Sequence, residues 1–322
     1  MTYLTGSPIA ALDYNTFATS VTGTNELFAD THSGATLLPA AGLGYGQVAL
    51  PGVSVGTNVT AAQWNSLFTA MRSSGTHQAT SVSPPIPVTG PIIGSNIDAV
   101  TTAGSMSSLI ALLKTNSFNV DVSQRSVLFG APFANLASWS TQLDYTFRID
   151  FGSWNNARYY FNTGSAISIT ATYSAPTTPD EDAWATLFNV HFPVTLNWQK
   201  TTQPLWNLIL NQPGFYQDPS NPVLYPGLTT LYQPIYRKFA GGGSGSYYYY
   251  YATNYAQIDA RLANVAGTNG IIDFKITLFD NDTVPVLKPA GKVIYTINRI
   301  QSSGAIPYVG GYTYTNLGFV ST

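Results

Sequence analysis

The stretch that decides the fold reads Tyr145-Thr146-Phe147-Arg148-Ile149-Asp150-Phe151, with an aromatic or aliphatic side chain at every second position. Side chains two residues apart lie on the same face of a β-strand, so this stretch predicts a strand with one buried face. Similar segments recur at 120–123, 166–172, 190–198, 247–251, 271–279 and 292–297. Strands separated by Gly, Pro and Asn turns predict an antiparallel β-sandwich, which we place at residues 120–322.

The first 80 residues follow a helical period instead. Apolar side chains recur at i, i+3, i+4 and i+7 on one predicted helix face, which comprises Trp64, Leu67, Phe68 and Met71. Thr60 and Gln63 have the spacing of a capping box, and Gly75 is the predicted stop of this helix. Residues 9–17 resemble residues 59–68, so we interpret this region as a helical anchoring module with a weak internal repeat.

A proline-rich linker separates this module (residues 1–80) from the rest of the chain. Residues 81–95 contain four prolines and are predicted to be semi-rigid. A further helix is predicted at 96–119, with apolar positions at Ile97, Val100, Met106, Ile110 and Leu113. Short helices at 180–187 and 202–210 are predicted to cover a sheet edge. The predicted fold class is α+β, with a small N-terminal helical module followed by a mainly antiparallel β-sandwich domain.

The composition is poor in charge. The 13 Lys and Arg and 15 Asp and Glu residues make up 9% of the chain, against about 25% in an ordinary soluble protein. Such a chain has few acids and bases for catalysis, whereas its 21 Tyr residues and many neutral polar groups can pack against neighbours. This profile favours adhesion and assembly. The net charge of −2, without any run of Lys or Arg, argues against nucleic acid as a partner.

The chain contains no Cys, which excludes disulfides and thiolate chemistry. No apolar run approaches the roughly 18 residues that a membrane helix needs. Met1-Thr2-Tyr3-Leu4 lacks the features of a secretory signal. We therefore expect no membrane partner, and synthesis in a cytoplasm without an export signal.

The groups suited to catalysis or metal binding have structural interpretations. His32, His77 and His191 are not spaced as metal ligands and are predicted to be polar loop, helix-end or strand residues. Asp180-Glu181-Asp182 is predicted to complement the dipole at a helix N-terminus, with a glycosidase pair as the alternative. Asp280-Asn281-Asp282 lacks the Gly and the acid that an EF-hand needs and predicts a hairpin turn. We predict no catalytic residue, cofactor or metal, and no enzymatic activity.

A run of tyrosines has two interpretations. Gly241-Gly242-Gly243-Ser244-Gly245-Ser246 precedes it and predicts a flexible break. The run is either a loop entering a strand or an aromatic interface, and its residues are Tyr247, Tyr248, Tyr249, Tyr250 and Tyr251.

The stretch Asn156-Ala157-Arg158-Tyr159-Tyr160-Phe161-Asn162, followed by Thr163-Gly164-Ser165 and an alternating strand, resembles a signature of virion structural proteins of tailed bacteriophages. Its motif residues are Asn156, Arg158, Tyr159, Phe161, Asn162 and Gly164. The family pattern often has Gly-Gly after Phe-Asn, where this chain has Thr163-Gly164. Further segments resemble the same proteins in the same order, namely 13–15, 44–47, 63–67, 255–261 and 272–276. The residues that we assign to anchoring on this basis are Tyr14, Asn15, Tyr45, Gln47, Trp64 and Asn65.

The central motif also has a physical interpretation. Arg158 lies among aromatic residues, and a guanidinium can stack on a ring and fork to a carboxylate such as Asp150. This pairing is predicted to pin a strand corner. Asn162 with Gly164 suits a tight turn.

The resemblance implies a structural component of a virion, in the tail, baseplate or neck or as a fibre adaptor, that acts through protein–protein assembly. Its expected partners are other virion proteins and further copies of itself. One alternative is a capsid decoration (cement) protein. Another is a carbohydrate-binding receptor-recognition module in which sugars stack on Trp139, Trp154, Trp184 or the tyrosine run. The last is a polysaccharide hydrolase that uses the acids at 180–182.

Overall fold

The computed structural model describes the residues 11–18, 45–48, 50–79, 106–116, 121–135, 138–174, 179–196, 230–239, 253–263, 270–281, 291–308 and 310–321. The chain divides into two compact units. The helical unit combines Met1–Ser126 with Arg158–Ser165 and Gln301–Gly310, and the remainder forms the sandwich unit. The helical unit therefore takes in two later segments that the sequence assigns to the sandwich domain.

The helical unit contains α1 (Ala11–Ala18), α2 (Ala61–His77), α3 (Met106–Thr115) and a 3-10 turn at Val122–Gln124. The capping box that begins α2 is confirmed, because the Thr60 side chain accepts from the Gln63 amide and the Gln63 side chain accepts from the Thr60 amide. The predicted stop at Gly75 is wrong. Its backbone is helical rather than left-handed, and α2 continues to His77.

The predicted apolar face of α2 forms the core of this unit. Trp64, Leu67, Phe68 and Met71 are all buried. The Trp64 ring meets Tyr14 of α1 edge-on at 5.4 Å between ring centroids, and Phe68 lies 5.9 Å away. From α3, Ile110 and Leu113 join the same cluster. Removing a buried aromatic side chain such as Trp64 costs about 3–5 kcal/mol.

The sandwich is built from two five-stranded sheets. The first has the strand order β1-β9-β4-β5, and β2 also pairs with β9. The second has the order β10-β3-β8-β7-β6. The strands are β1 (Arg125–Leu128), β2 (Pro132–Ala134), β3 (Gln142–Asp150), β4 (Ala166–Ser174), β5 (Val194–Leu196), β6 (Gln233–Phe239), β7 (Tyr255–Leu262), β8 (Ile271–Phe279), β9 (Lys292–Ser302) and β10 (Thr313–Ser321).

The deciding stretch lies in β3, where burial alternates residue by residue as predicted. Its inward side chains meet the first sheet, because the Tyr145 ring stacks on Tyr295 of β9 with 5.3 Å between centroids. Phe147 stacks on Phe274 of the neighbouring β8 at 5.0 Å. Aromatic pairs of this kind add about 0.5–1.5 kcal/mol each beyond area burial. The α+β class with a mainly antiparallel sandwich is thus confirmed.

Helices replace predicted strands at three places. Residues 122–124 form the 3-10 turn because Asp121 caps it, its carboxylate accepting from the Ser123 amide at 2.9 Å. The segment Trp154–Asn162 is helix α4 rather than a strand corner. Helix α5 spans Pro179–His191, so His191 ends a helix, and within the described part of 190–198 the strand is limited to Val194–Leu196. The predictions for 81–95, 202–210 and 247–251 lie outside the described residues.

Candidate functional site

The signature motif forms a capped helix. At its start, Asn156 donates through its amide nitrogen to the Phe151 carbonyl at 2.9 Å, and its backbone N–H donates to Ser153 Oγ at 3.1 Å. At its end, the Gly164 N–H donates to the Phe161 carbonyl at 2.9 Å. Gly164 has a φ of +74°, which favours glycine and confirms the predicted turn.

The other motif residues either pack in the interior or have side chains outside the described part of the structure. Phe161 and Asn162 are buried, and the Tyr159 ring lies where a side chain at Gly46 (φ +72°) would overlap it. Because the Arg158 side chain is outside the described part of the structure, its pairing with Asp150 stays a prediction. The Asp150 carboxylate accepts from the Gly152 amide at 2.7 Å.

Five of the six residues assigned to anchoring are buried in the helical unit or make hydrogen bonds within it. Tyr14, Tyr45 and Trp64 are buried. The Asn15 side chain makes two hydrogen bonds with the backbone of Val53, one as donor and one as acceptor, both 2.8 Å long. Gln47 donates to the Pro307 carbonyl at 2.9 Å, and Asn65 is exposed.

His77 is buried in the helical unit and is held as a neutral ring. It meets Tyr45 edge-on at 5.2 Å between ring centroids. Burial is the largest effect on its pKa and outweighs the opposing effect of the Thr163 backbone; the charge of Arg125 lowers the pKa and that of Asp121 raises it by smaller amounts, and the resulting pKa is about 4. Burial also lowers the pKa of His191, and His32 lies outside the described residues.

Two of the three acidic residues at the start of α5 are buried. Asp180 and Glu181 are buried and Asp182 is exposed. The Glu181 carboxylate accepts from the Gly291 amide at 2.8 Å and from the Tyr173 hydroxyl at 3.2 Å. Burial, followed by the Glu181 charge, raises the pKa of Tyr173. A carboxylate buried among these donors ties a loop to the helix N-terminus and offers no access to a polysaccharide.

A buried asparagine links two of the acidic segments. Asn254 donates through its side-chain nitrogen to Asp280 Oδ1 at 2.8 Å and to Asp180 Oδ1 at 3.5 Å. Its side-chain oxygen accepts from the Asn281 amide at 2.8 Å. These contacts give Asp280 and Asn281 a structural role directly after the end of β8.

Two of the predicted sugar platforms are wrong. Trp139 and Trp184 are buried and pack edge-on at 5.3 Å between ring centroids, so no sugar can reach their faces. The side chain of Trp154 and the tyrosine run lie outside the described residues.

Strand β10 is an exposed edge of the second sheet. Among the described strands it pairs only with β3. Its nine residues contain no charge and no proline, and they extend over roughly 30 Å. Leu317 is 46% and Val320 66% exposed, whereas the Phe319 ring packs on Tyr145 at 4.7 Å between centroids. The strand is thus anchored from inside and presents a neutral outer edge.

The other sheet edges are protected or short. β6, at the far end of the same sheet, contains Pro234, Arg237 and Lys238, and its register shifts between Pro234 and Tyr236. Proline and charges discourage a further strand from pairing, and they distinguish β6 from β10, since the register of β10 also shifts, between Asn316 and Gly318. In the first sheet, β5 has three residues and β1 has four. Within the described residues, β10 is therefore the one long, uncharged edge.

The outer face of the second sheet holds a row of ion pairs across β3, β8 and β7. Arg148 donates through Nε (2.6 Å) and Nη2 (3.0 Å) to the two carboxylate oxygens of Asp273. Arg261 donates through Nε (3.2 Å) and Nη2 (3.0 Å) to Oδ2 of the same residue. Burial alone would raise the pKa of Asp273, but the two arginines outweigh it and hold that pKa below its usual value.

A second group of polar contacts continues this network along the strands. The Lys275 ammonium lies 3.5 Å from Asp259, which also accepts from Gln257 at 2.6 Å. Burial raises the pKa of Asp259, against smaller opposing effects of Gln257 and Lys275. Asp144 accepts from Thr277 at 2.6 Å. We call this outer surface of the second sheet the polar face. Its residues are Arg148, Asp273, Arg261, Lys275, Asp259, Gln257, Asp144, Thr277, Tyr232, Arg237, Tyr255, Phe279 and Phe239.

The sequence alone did not single out the polar face, although a signal was present. Two predicted strands, 145–151 and 271–279, carry Arg148, Asp273 and Lys275 at alternate positions that point away from the core, and the segment 255–261, which was not predicted as a strand, carries Asp259 and Arg261. In a chain with so little charge, this concentration of charged side chains could have been recognised from the sequence pattern.

Comparison of the chain with protein-family models, with curated proteins and with solved structures finds no match. Within the described residues, no group of three or more His, Asp or Glu side chains is placed to hold a metal ion. In that same part of the chain, no helix is long and apolar enough to cross a membrane.

Proposed function

We propose that the protein is a structural component of a tailed-phage virion, acting without catalysis in the tail, baseplate or neck or as a fibre adaptor. The observation that carries the assembly role is the exposed β10 edge. The ordered resemblance of the motifs supplies the class of particle.

The β10 edge is suited to joining subunits by strand addition. An edge strand presents unpaired backbone N–H and C=O groups that a second strand can satisfy. Two β10 strands from separate copies can pair antiparallel about a two-fold axis, since a neutral sequence sets no like charges opposite each other. Exposed Leu317 and Val320 would be covered in such a pair. We therefore propose a second copy of the chain as the first partner of this edge.

Self-association is tested by placing a charge on the edge. The full chain carrying Val320→Lys is compared with the unaltered chain and with Val190→Lys, by sedimentation equilibrium over a concentration series. Val190 is the matched control because it is 67% exposed on α5 and does not lie on the edge, whereas Val320 is 66% exposed. We expect the unaltered chain and Val190→Lys to associate equally, and Val320→Lys to associate at least tenfold more weakly. A monomer at every concentration, or equal weakening by both substitutions, contradicts the assembly role of β10.

The particle itself tests the virion assignment. Quantitative mass spectrometry of purified particles is expected to detect the chain at a fixed copy number. A small multiple of the tail symmetry supports a tail, baseplate or neck position, whereas several hundred copies would instead support a decoration protein. Absence of the chain from the particle refutes the assignment.

A further inference from the structure

The polar face holds a large share of the charge of this charge-poor chain. Of the 13 Lys and Arg residues in the sequence, four lie on it, namely Arg148, Arg237, Arg261 and Lys275. A purely structural outer face could have been built from the Thr, Ser and Asn that prevail elsewhere. The concentration of cations on one sheet face therefore calls for a separate explanation.

Two of the three acids on this face, Asp273 and Asp259, lie beneath its cations, and Asp144 is half-buried. Asp273 is fully buried, whereas the side chains of Arg148 and Arg261 are 36% and 37% exposed. Asp259 is buried too, below Lys275 and Gln257. A ligand that approaches the sheet therefore meets ammonium and guanidinium groups that are already held in position by the acids behind them.

Both arginines keep donors for a ligand. Each uses Nε and Nη2 for Asp273, and Nη1 of each has no hydrogen-bond partner among the described residues. A guanidinium is planar and matches the geometry of a carboxylate. Two arginines fixed on one carboxylate have lost much of their conformational freedom before binding, which lowers the entropic cost of holding an anion.

Aromatic rings lie among these cations. Tyr232 has the guanidinium of Arg261 at 4.3 Å and the ammonium of Lys275 at 5.2 Å from its ring centroid. Tyr255 lies under Arg237 at 4.7 Å and stacks on Phe279. The negative faces of these rings attract the cations and help to hold them in place. A chain of anionic units laid along the face therefore meets several positioned cations in succession.

We propose that the polar face binds acidic polysaccharides, with the carboxylates of uronic acid units received by Arg148, Arg261 and Lys275. From β3 to β6 the face spans three strand spacings, roughly 14 Å, and from Arg261 to Tyr255 it extends along the strand for roughly 20 Å. An open, flat face of this size fits a linear chain of sugars better than a small molecule, which needs a concave site. This binding goes beyond the assembly role and does not depend on it.

The first test compares two forms of one polymer by isothermal titration calorimetry with the full chain. Polygalacturonate carries a carboxylate on each sugar, and its methyl ester carries none. We expect binding of the acid form, at least tenfold weaker binding of the ester, and affinity that falls as salt is raised, because screening weakens exposed charge pairs. Equal binding of both forms, or binding of neither, overturns the proposal.

The second test locates the binding on the sheet. Lys275→Gln removes a cation from the polar face, and Lys292→Gln removes one from an exposed position at the start of β9. We expect the first substitution to weaken polygalacturonate binding about fivefold to tenfold and the second to change it less than twofold. Equal effects overturn the location. Binding of poly-glutamate as tight as that of polygalacturonate overturns the assignment to sugars. Unchanged circular dichroism of both variants shows that the effects do not come from unfolding.

Discussion

Acidification should weaken the helical unit through His77. His77 is the last residue of α2, and its ring is buried against the Tyr45 side chain. Its pKa is lowered to about 4 from an ordinary value of 6.5. The folded unit therefore binds a proton at His77 less readily than the unfolded chain does. Stability from this residue is complete above pH 6.5, falls as the pH drops from 6.5 towards 4, and changes no further below 4.

The size of the effect follows from the gap between the two pKa values. One pKa unit corresponds to about 1.4 kcal/mol, so the whole gap is worth about 3 kcal/mol below pH 4. At pH 5 the loss is about 2 kcal/mol, since the unfolded histidine is then almost fully protonated and the folded one is mostly neutral. A loss of that size is a substantial fraction of a typical stability of 5–15 kcal/mol.

The assay compares the unaltered chain with His77→Gln. Urea unfolding is measured at pH 7, 6 and 5, and hydrogen exchange of peptides from α2 reports the helical unit by itself. We expect the unaltered chain to lose about 2 kcal/mol more than the variant between pH 7 and pH 5, because Gln does not titrate. Parallel pH profiles of the two proteins, or a His77 pKa at or above 6.5 by NMR titration, would refute the reasoning.

Substitutions at three further positions test individual contacts by urea unfolding. Asn15→Ala leaves both backbone groups of Val53 without their side-chain partner, and should lower the free energy of unfolding by about 2 kcal/mol; no change would show that water replaces the amide. Glu181→Ala should cost about 3 kcal/mol, and Glu181→Gln less because one acceptor oxygen remains; equal losses contradict the hydrogen-bond account. Asp273→Asn should cost about 2 kcal/mol, discounted because both arginines are partly solvated. Since the Asp273 pKa is lowered, that cost should be present at pH 7 and shrink as the pH falls below about 4, and a cost that does not change with pH argues against the ion pairs.

Much of the fold was predictable because local patterns and packing agreed. The alternation at 271–279 matches the bounds of β8, and the i, i+3, i+4, i+7 face of α2 is the one that is buried. In these segments the apolar positions selected by the period are the buried ones, so period and burial agree for the apolar side chains, whereas the polar Asp273 of β8 is buried beneath two arginines.

The predicted secondary structure was wrong at segments whose sequence is compatible with both a strand and a helix. At 154–162 three consecutive aromatics suggest a strand, yet Ala157, Tyr160 and Phe161 are the buried residues, with the i, i+3, i+4 spacing of a helix. At 190–198 the helical period of Trp184, Leu187 and Phe188 carries α5 beyond its predicted end.

The candidate sites depend on long-range pairing that local patterns do not contain. Arg148 and Asp273 are 125 residues apart, and they meet only because β3 and β8 are neighbours in the sheet. The exposed edge depends on strand order in the same way. An uncharged strand at 313–321 would be unremarkable at the centre of a sheet, and becomes a surface for pairing only because β10 stands at its end.

The helical unit is discontinuous, and this has a consequence for synthesis. Gln47 donates to the carbonyl of Pro307, 260 residues further along the chain. At about 5–20 residues per second, a ribosome needs on the order of ten to forty seconds to proceed from residue 126 to residue 310. During that time the nascent chain lacks the last segment of the unit, so its α-helices cannot yet complete their packing. A polypeptide interrupted before that point lacks part of the helical unit, so the complete surface of this unit forms only after residue 310 has been synthesised.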